Sequence, residues 1–142
     1  METNLRLNIN RLAQYNADTK LHTPLWYRLV WLEDGDALIF IRSGFPFDQE
    51  KFASGGWILL FNEFFLNDFV ERYPDRYNSA LMLSRGLGNV TIPLTAALRT
   101  ELNDMAVLLN HAQDKAQSEL YLQSYADLIL LNANHAYAKM GK

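Results

Sequence analysis

One stretch constrains this chain more than any other: Gly55-Gly56-Trp57-Ile58-Leu59-Leu60-Phe61-Asn62-Glu63-Phe64-Phe65-Leu66-Asn67-Asp68-Phe69. Its unbroken apolar run from Trp57 to Phe61 has the length and texture of a buried strand. Asn62 then stands where a helix N-cap belongs, and Phe65, Leu66 and Phe69 recur at helical spacing. A strand therefore feeds directly into a helix. Before this joint, short β-like runs are broken by Gly, Pro and Asp; after it, the periodicity is helical almost to the end. The chain is α+β, with its two kinds of structure segregated along the sequence.

In the first half, Leu5, Leu7 and Ile9 alternate with polar residues, as in a half-buried strand. Tyr15 to Thr19 reads as a polar turn. Leu25 to Leu32 places Tyr27, Leu29 and Trp31 on one strand face and Trp26, Arg28, Val30 and Leu32 on the other. Glu33-Asp34-Gly35-Asp36 predicts a hairpin turn in which Gly35 supplies a positive φ. Ala37 to Ile41 returns, and Ser43-Gly44-Phe45-Pro46 breaks the pattern before a loop over 47–54.

In the second half, the first helix is expected from Glu63 to Tyr73, ended by Pro74. A connector containing Leu81, Gly86 and Gly88 leads to the short strand Val90-Thr91-Ile92. Two longer helices are expected at Leu94–His111, with Pro93 at its start, and at Ser118–Ala138. The polar link between them predicts an antiparallel αα-hairpin. At 142 residues the whole is read as one domain, 1–142, β-rich over 1–61 and helical over 62–142. The β part is a small antiparallel barrel or an open layer.

The chemistry offered is that of binding. There is no phosphate-binding glycine loop and no nucleophile elbow. His22, His111 and His135 are widely separated and match no metal-ligand spacing. His135 is read as a helix C-terminal residue answering the dipole, and Glu63 as its acidic counterpart at a helix start. No cysteine is present, which removes thiolate chemistry and disulfides and fits a reducing, cytoplasmic setting. No cofactor or metal is expected, and the protein is read as a non-enzyme. Net charge is −3, and from Thr91 to Lys142 four basic residues face five acidic ones. That balance argues against direct nucleic-acid binding. No segment is apolar over a length that spans a bilayer, so no membrane is expected.

Aromatic content of 13% leaves two readings open, a packed core or a ligand pocket. For a pocket, the lining candidates are His22, Trp26, Tyr27, Trp31, Phe40 and Trp57, with Arg28 and Arg42 as polar anchors.

The order of these features resembles the effector-binding domain of AraC-type transcriptional regulators. The likeness is carried by Ile9-Asn10-Arg11-Leu12, Asn16-Ala17-Asp18-Thr19, His22, Trp26-Tyr27-Arg28-Leu29-Val30-Trp31 and Gly35. It continues through Leu38 to Gly44, is best over Gly56 to Leu66, and ends in Leu120 to Tyr137. Two departures stand out. Only about twenty residues separate Gly35 from Gly56, where the family usually places another hairpin, and the family's two C-terminal helix-turn-helix motifs have no counterpart among these residues.

The resemblance implies a shortened cupin-like β part followed by a helical dimerisation part, and a homodimer. A small effector would be held by His22, Tyr27, Trp31, Arg42 and Trp57. The dimer contacts would come from Leu98, Leu102, Met105, Leu109, Leu128 and Leu131, shared with the core. The alternatives are a small cupin-fold enzyme acting on a sugar or organic acid, and an interaction module that binds no ligand.

Overall fold

The computed structural model describes residues 6–17, 26–45, 55–84 and 89–140. Five strands, β1 (Leu7–Arg11), β2 (Tyr27–Leu32), β3 (Ala37–Ile41), β4 (Gly56–Phe61) and β5 (Asn89–Pro93), form one antiparallel sheet in the order β1-β4-β2-β3-β5. Among the described residues the sheet is open, with β1 and β5 at its edges. Among the described residues four helices accompany it: α1 (Leu12–Ala17), α2 (Glu63–Arg72), α3 (Ala96–Asp114) and α4 (Glu119–Met140), with a 3-10 turn at Arg76–Ser79.

The central strand is β4, which pairs with β1 through Ile9 opposite Leu59 and with β2 through Leu29 opposite Leu59. Its unbroken apolar sequence follows from this position, because both of its faces are covered. Trp57, Leu59 and Phe61 join Leu29, Trp31, Leu38, Phe40 and Ile92 beneath α2, α3 and α4. Ile58 and Leu60 join Val30 and Ile41 on the opposite face, under Leu12 and Tyr15 of α1. The expected polar turn at Tyr15 is thus a short helix, since Leu12 and Tyr15 lie three apart and are both buried.

Close approach explains the glycine that opens β4. A Cβ on Gly56 would lie 2.5 Å from the Trp31 carbonyl oxygen and 2.8 Å from Leu12 Cδ1. Gly56 is therefore a crowded strand entry between α1 and β2.

The β2–β3 hairpin forms in the expected register, with Val30 opposite Ile39. Its turn differs from expectation: Gly35 donates its N–H to Leu32 O at 3.1 Å, closing the turn as its fourth residue, a position where glycine is favoured without positive φ. Among the described glycines, positive φ occurs at Gly44, at 88°.

Helix ends follow side-chain caps. Asn62 accepts from Phe65 N–H at 3.0 Å at the start of α2, with Glu63 in the first turn. Thr95, not Pro93, caps α3 by accepting from Leu98 N–H at 3.1 Å; Pro93 ends the edge strand β5, where a missing N–H is tolerated. After α3 the chain turns through a Schellman arrangement: Gln117 N–H reaches Ala112 O at 3.0 Å and Ala116 N–H reaches Gln113 O at 3.1 Å. Ala116 holds φ at 52°, the left-handed position usually given to glycine. This is how a link without glycine or proline ends α3.

Candidate functional site

Of the five residues expected to hold an effector, the four described ones lie at two ends of the sheet. His22 lies outside the described residues. Trp31 and Trp57 sit opposite each other in the register and are fully buried beneath α3. Trp31 Nε1 donates to Asn103 Oδ1 at 2.9 Å, and Asn103 Nδ2 donates to Glu33 O at 2.9 Å. The Arg11 guanidinium lies 4.1 Å above the Trp57 ring and pairs with Glu33 Oε2 at 2.8 Å.

Tyr27 and Arg42 lie at the other end of the sheet. Four residues of strand, about 13 Å, separate Tyr27 from Trp31. The Tyr27 ring stacks at 5.4 Å on Phe61 and at 6.0 Å on Phe40. Burial, assisted by nearby Glu63, pushes its phenol pKa up, while Arg42 opposes the shift. Arg42 Nη2 donates to Ser84 O at 2.7 Å and to Ser84 Oγ at 2.5 Å, which ties the connector to β3. These contacts are structural links as they stand.

A different residue stands out on the face of the sheet turned away from the long helices. Arg28 is 4% exposed. Its Nη2 donates to Arg42 O at 3.2 Å and also to Phe45 O, while its Nε is buried without a hydrogen-bond partner. None of the carboxylates in the ion pairs found among the described residues belongs to it. Beside it lies Tyr15, whose phenol pKa is raised by burial against the opposing pull of Arg28. Around it lie the buried apolar residues Leu12, Val30, Ile41, Ile58 and Leu60. A guanidinium is a directional partner for a carboxylate or hydroxyl, and the unpaired Nε of Arg28 is a donor of that kind held in the interior. Strand alternation had placed Arg28 on this face, but the burial of the face depends on α1, which the polar look of 15–19 concealed.

The helical layer is locked by polar side chains that periodicity does not reveal. Asp127 of α4 is buried and receives Arg72 of α2 at two points, together with the Tyr73 hydroxyl at 3.0 Å. Asn134, fully buried, accepts from the N–H groups of Leu81 and Met82 at 2.8 and 3.2 Å. His135 is not engaged chiefly with the helix dipole: its Nε2 meets Asn78 Oδ1 at 2.7 Å and its ring stacks on Tyr77 at 4.5 Å. The available signal for Asp127 and Asn134 was a polar residue on the apolar side of α4.

The residues expected to serve self-association divide by burial. Leu102 and Leu109 belong to the intramolecular core; Leu98, Met105 and Leu131 are half-buried against it; Leu128 is 44% exposed. Along the same outer side of α4 lie Leu120 and Tyr121, 67% and 55% exposed.

Among the described residues, no cluster of three or more His, Cys, Asp or Glu side chains could hold a metal ion, and no helix is long and apolar enough to cross a membrane. No family model, curated protein or solved structure matches the chain.

Proposed function

We propose that this chain is a ligand-sensing and self-associating module of the kind AraC-type regulators carry, with its β part shortened to an open sheet. The observation that carries this reading is the outer side of α4. Leu120, Tyr121 and Leu128, spaced seven and eight residues apart along one side of a single helix, are exposed although α3 and α4 pack against each other and the sheet. Three exposed apolar side chains on one side of an otherwise packed helix mark a surface suited to contact. The antiparallel α3–α4 pair is the dimerisation element, and two copies of α4 bury the stripe.

The sensing half rests on Arg28. Its buried guanidinium, set in an apolar face beside Tyr15, suits a small ligand bearing a carboxylate or hydroxyl. A ligand there would join the Arg42 and Phe45 carbonyls that Arg28 already holds.

Sedimentation velocity at micromolar concentration, run on the natural chain and on Leu128→Asp, tests the association. A dimer that the substitution converts into a folded monomer supports the reading; a natural chain that stays monomeric at high micromolar concentration removes it.

A further inference from the structure

The geometry points to a second small-molecule site, at the junction of the sheet edge with the helical layer, that takes a neutral, ring-sized ligand with an amide or hydroxyl edge. It is independent of the Arg28 face and of the self-association reading. The site is a cavity of about 320 Å³ bounded by β1, the start of α2, the α3–α4 turn and the first turn of α4. That volume is within the range of ligand pockets and accommodates one or two rings.

Its floor is apolar. Phe65 is almost fully buried, Leu7 is buried, and Leu122 closes the far side half-buried. Its rim is made of primary amides. Gln117 and Gln123 line the cavity and make no side-chain hydrogen bond among the described residues. An apolar floor beneath amide donors and acceptors matches a ring that carries its own amide or hydroxyl edge.

The wall is pre-formed rather than assembled on binding. Gln113 Oε1 accepts from Ile9 N–H and Gln113 Nε2 donates to Ile9 O, both at 2.8 Å, so the end of α3 is fastened to the free edge of β1. The next wall residue is Ala116, held at φ 52°. Glycine would occupy that position without steric cost, whereas alanine puts a methyl group on the cavity wall; strain of this kind concentrates at ligand-holding segments.

Charge selects against anions. The Arg6 guanidinium is answered by Asp68, which leaves the Glu119 carboxylate as the uncompensated charge at the rim.

Benzamide and benzoate, equal in shape and different in charge, serve as probes, with binding followed by NMR. Benzamide is expected to give saturable shifts of the Gln117 and Gln123 side-chain amides and of the Leu7 and Leu122 methyls. Benzoate is expected to bind about tenfold more weakly, and Gln117→Ala, on the exposed turn, to weaken benzamide about fivefold, the effect of one lost hydrogen bond. Arg28→Met is expected to leave benzamide binding unchanged. The assignment is overturned if benzamide produces no saturable shift at these four residues, if benzoate binds as well, or if Gln117→Ala binds like the natural chain.

Discussion

Arg72 of α2 and Asp127 of α4 meet at two points, Nε to Oδ2 at 2.9 Å and Nη2 to Oδ1 at 2.7 Å, with the carboxylate buried and the guanidinium partly open to solvent. Burial works against the Arg72 charge, but bonding to Asp127 outweighs it and raises the pKa. The pair fastens the strand-to-helix joint to the longest helix. Asp127→Ala removes a charge on which Arg72 and the Tyr73 hydroxyl both depend, and is expected to cost about 3 kcal/mol, the lower end for breaking a buried pair. Urea unfolding checks this; a loss under about 1 kcal/mol would show the pair to behave as a surface one.

Gly56→Ala tests the crowded strand entry. The neighbour at 2.5 Å is backbone, the Trp31 carbonyl, which cannot rotate away. The expected loss is about 3 kcal/mol, at the upper end for overpacking. Gly44→Ala, a control with open space around the glycine but positive φ, should cost about 1 kcal/mol.

The joint at Gly55–Phe69, the β2–β3 hairpin and both long helices were legible because burial writes its period into sequence. Where one side chain does two jobs, the period fails. Pro93 looked like a helix start because proline suits both an edge-strand end and a first helical turn; Thr95, two residues on, decides between them. β4 read as a strand without revealing that it is central, since an apolar run shows burial on both faces but names no neighbour. The candidate site was less legible. Aromatic richness pointed to Trp31 and Trp57, which lie in the core, whereas Arg28 and Gln113 act through burial and backbone contact that only the folded chain creates.

Ala116→Gly should stabilise the chain by about 0.5–1 kcal/mol, because glycine relieves the left-handed penalty while returning some entropy to the unfolded state. Thermal unfolding of the two chains under one buffer checks it. A destabilised Ala116→Gly chain would mean that the methyl contributes more packing than its backbone strain costs.

His135 gives the stability a pH dependence. Its pKa is lowered, first by burial and then by Lys139, with Asp75 opposing. A lowered histidine pKa means that, as pH falls below about 6.5, the unfolded chain takes up a proton before the folded one does. Stability should therefore fall from near pH 6.5 downward and be unaffected by this group above it. His135→Gln should flatten that part of the profile relative to the natural chain; identical slopes would show the imidazole to be indifferent to folding.

The outer stripe of α4 carries the functional account, and Leu128 is the place to test it. Its 44% exposure means that Leu128→Asp changes the surface more than the core. Sedimentation velocity on both chains, with circular dichroism to confirm the fold, is the most direct measurement. The account predicts a dimer for the natural chain and a folded monomer for Leu128→Asp. A natural chain that sediments as a monomer at high micromolar concentration, or a dimer unchanged by the substitution, would contradict it.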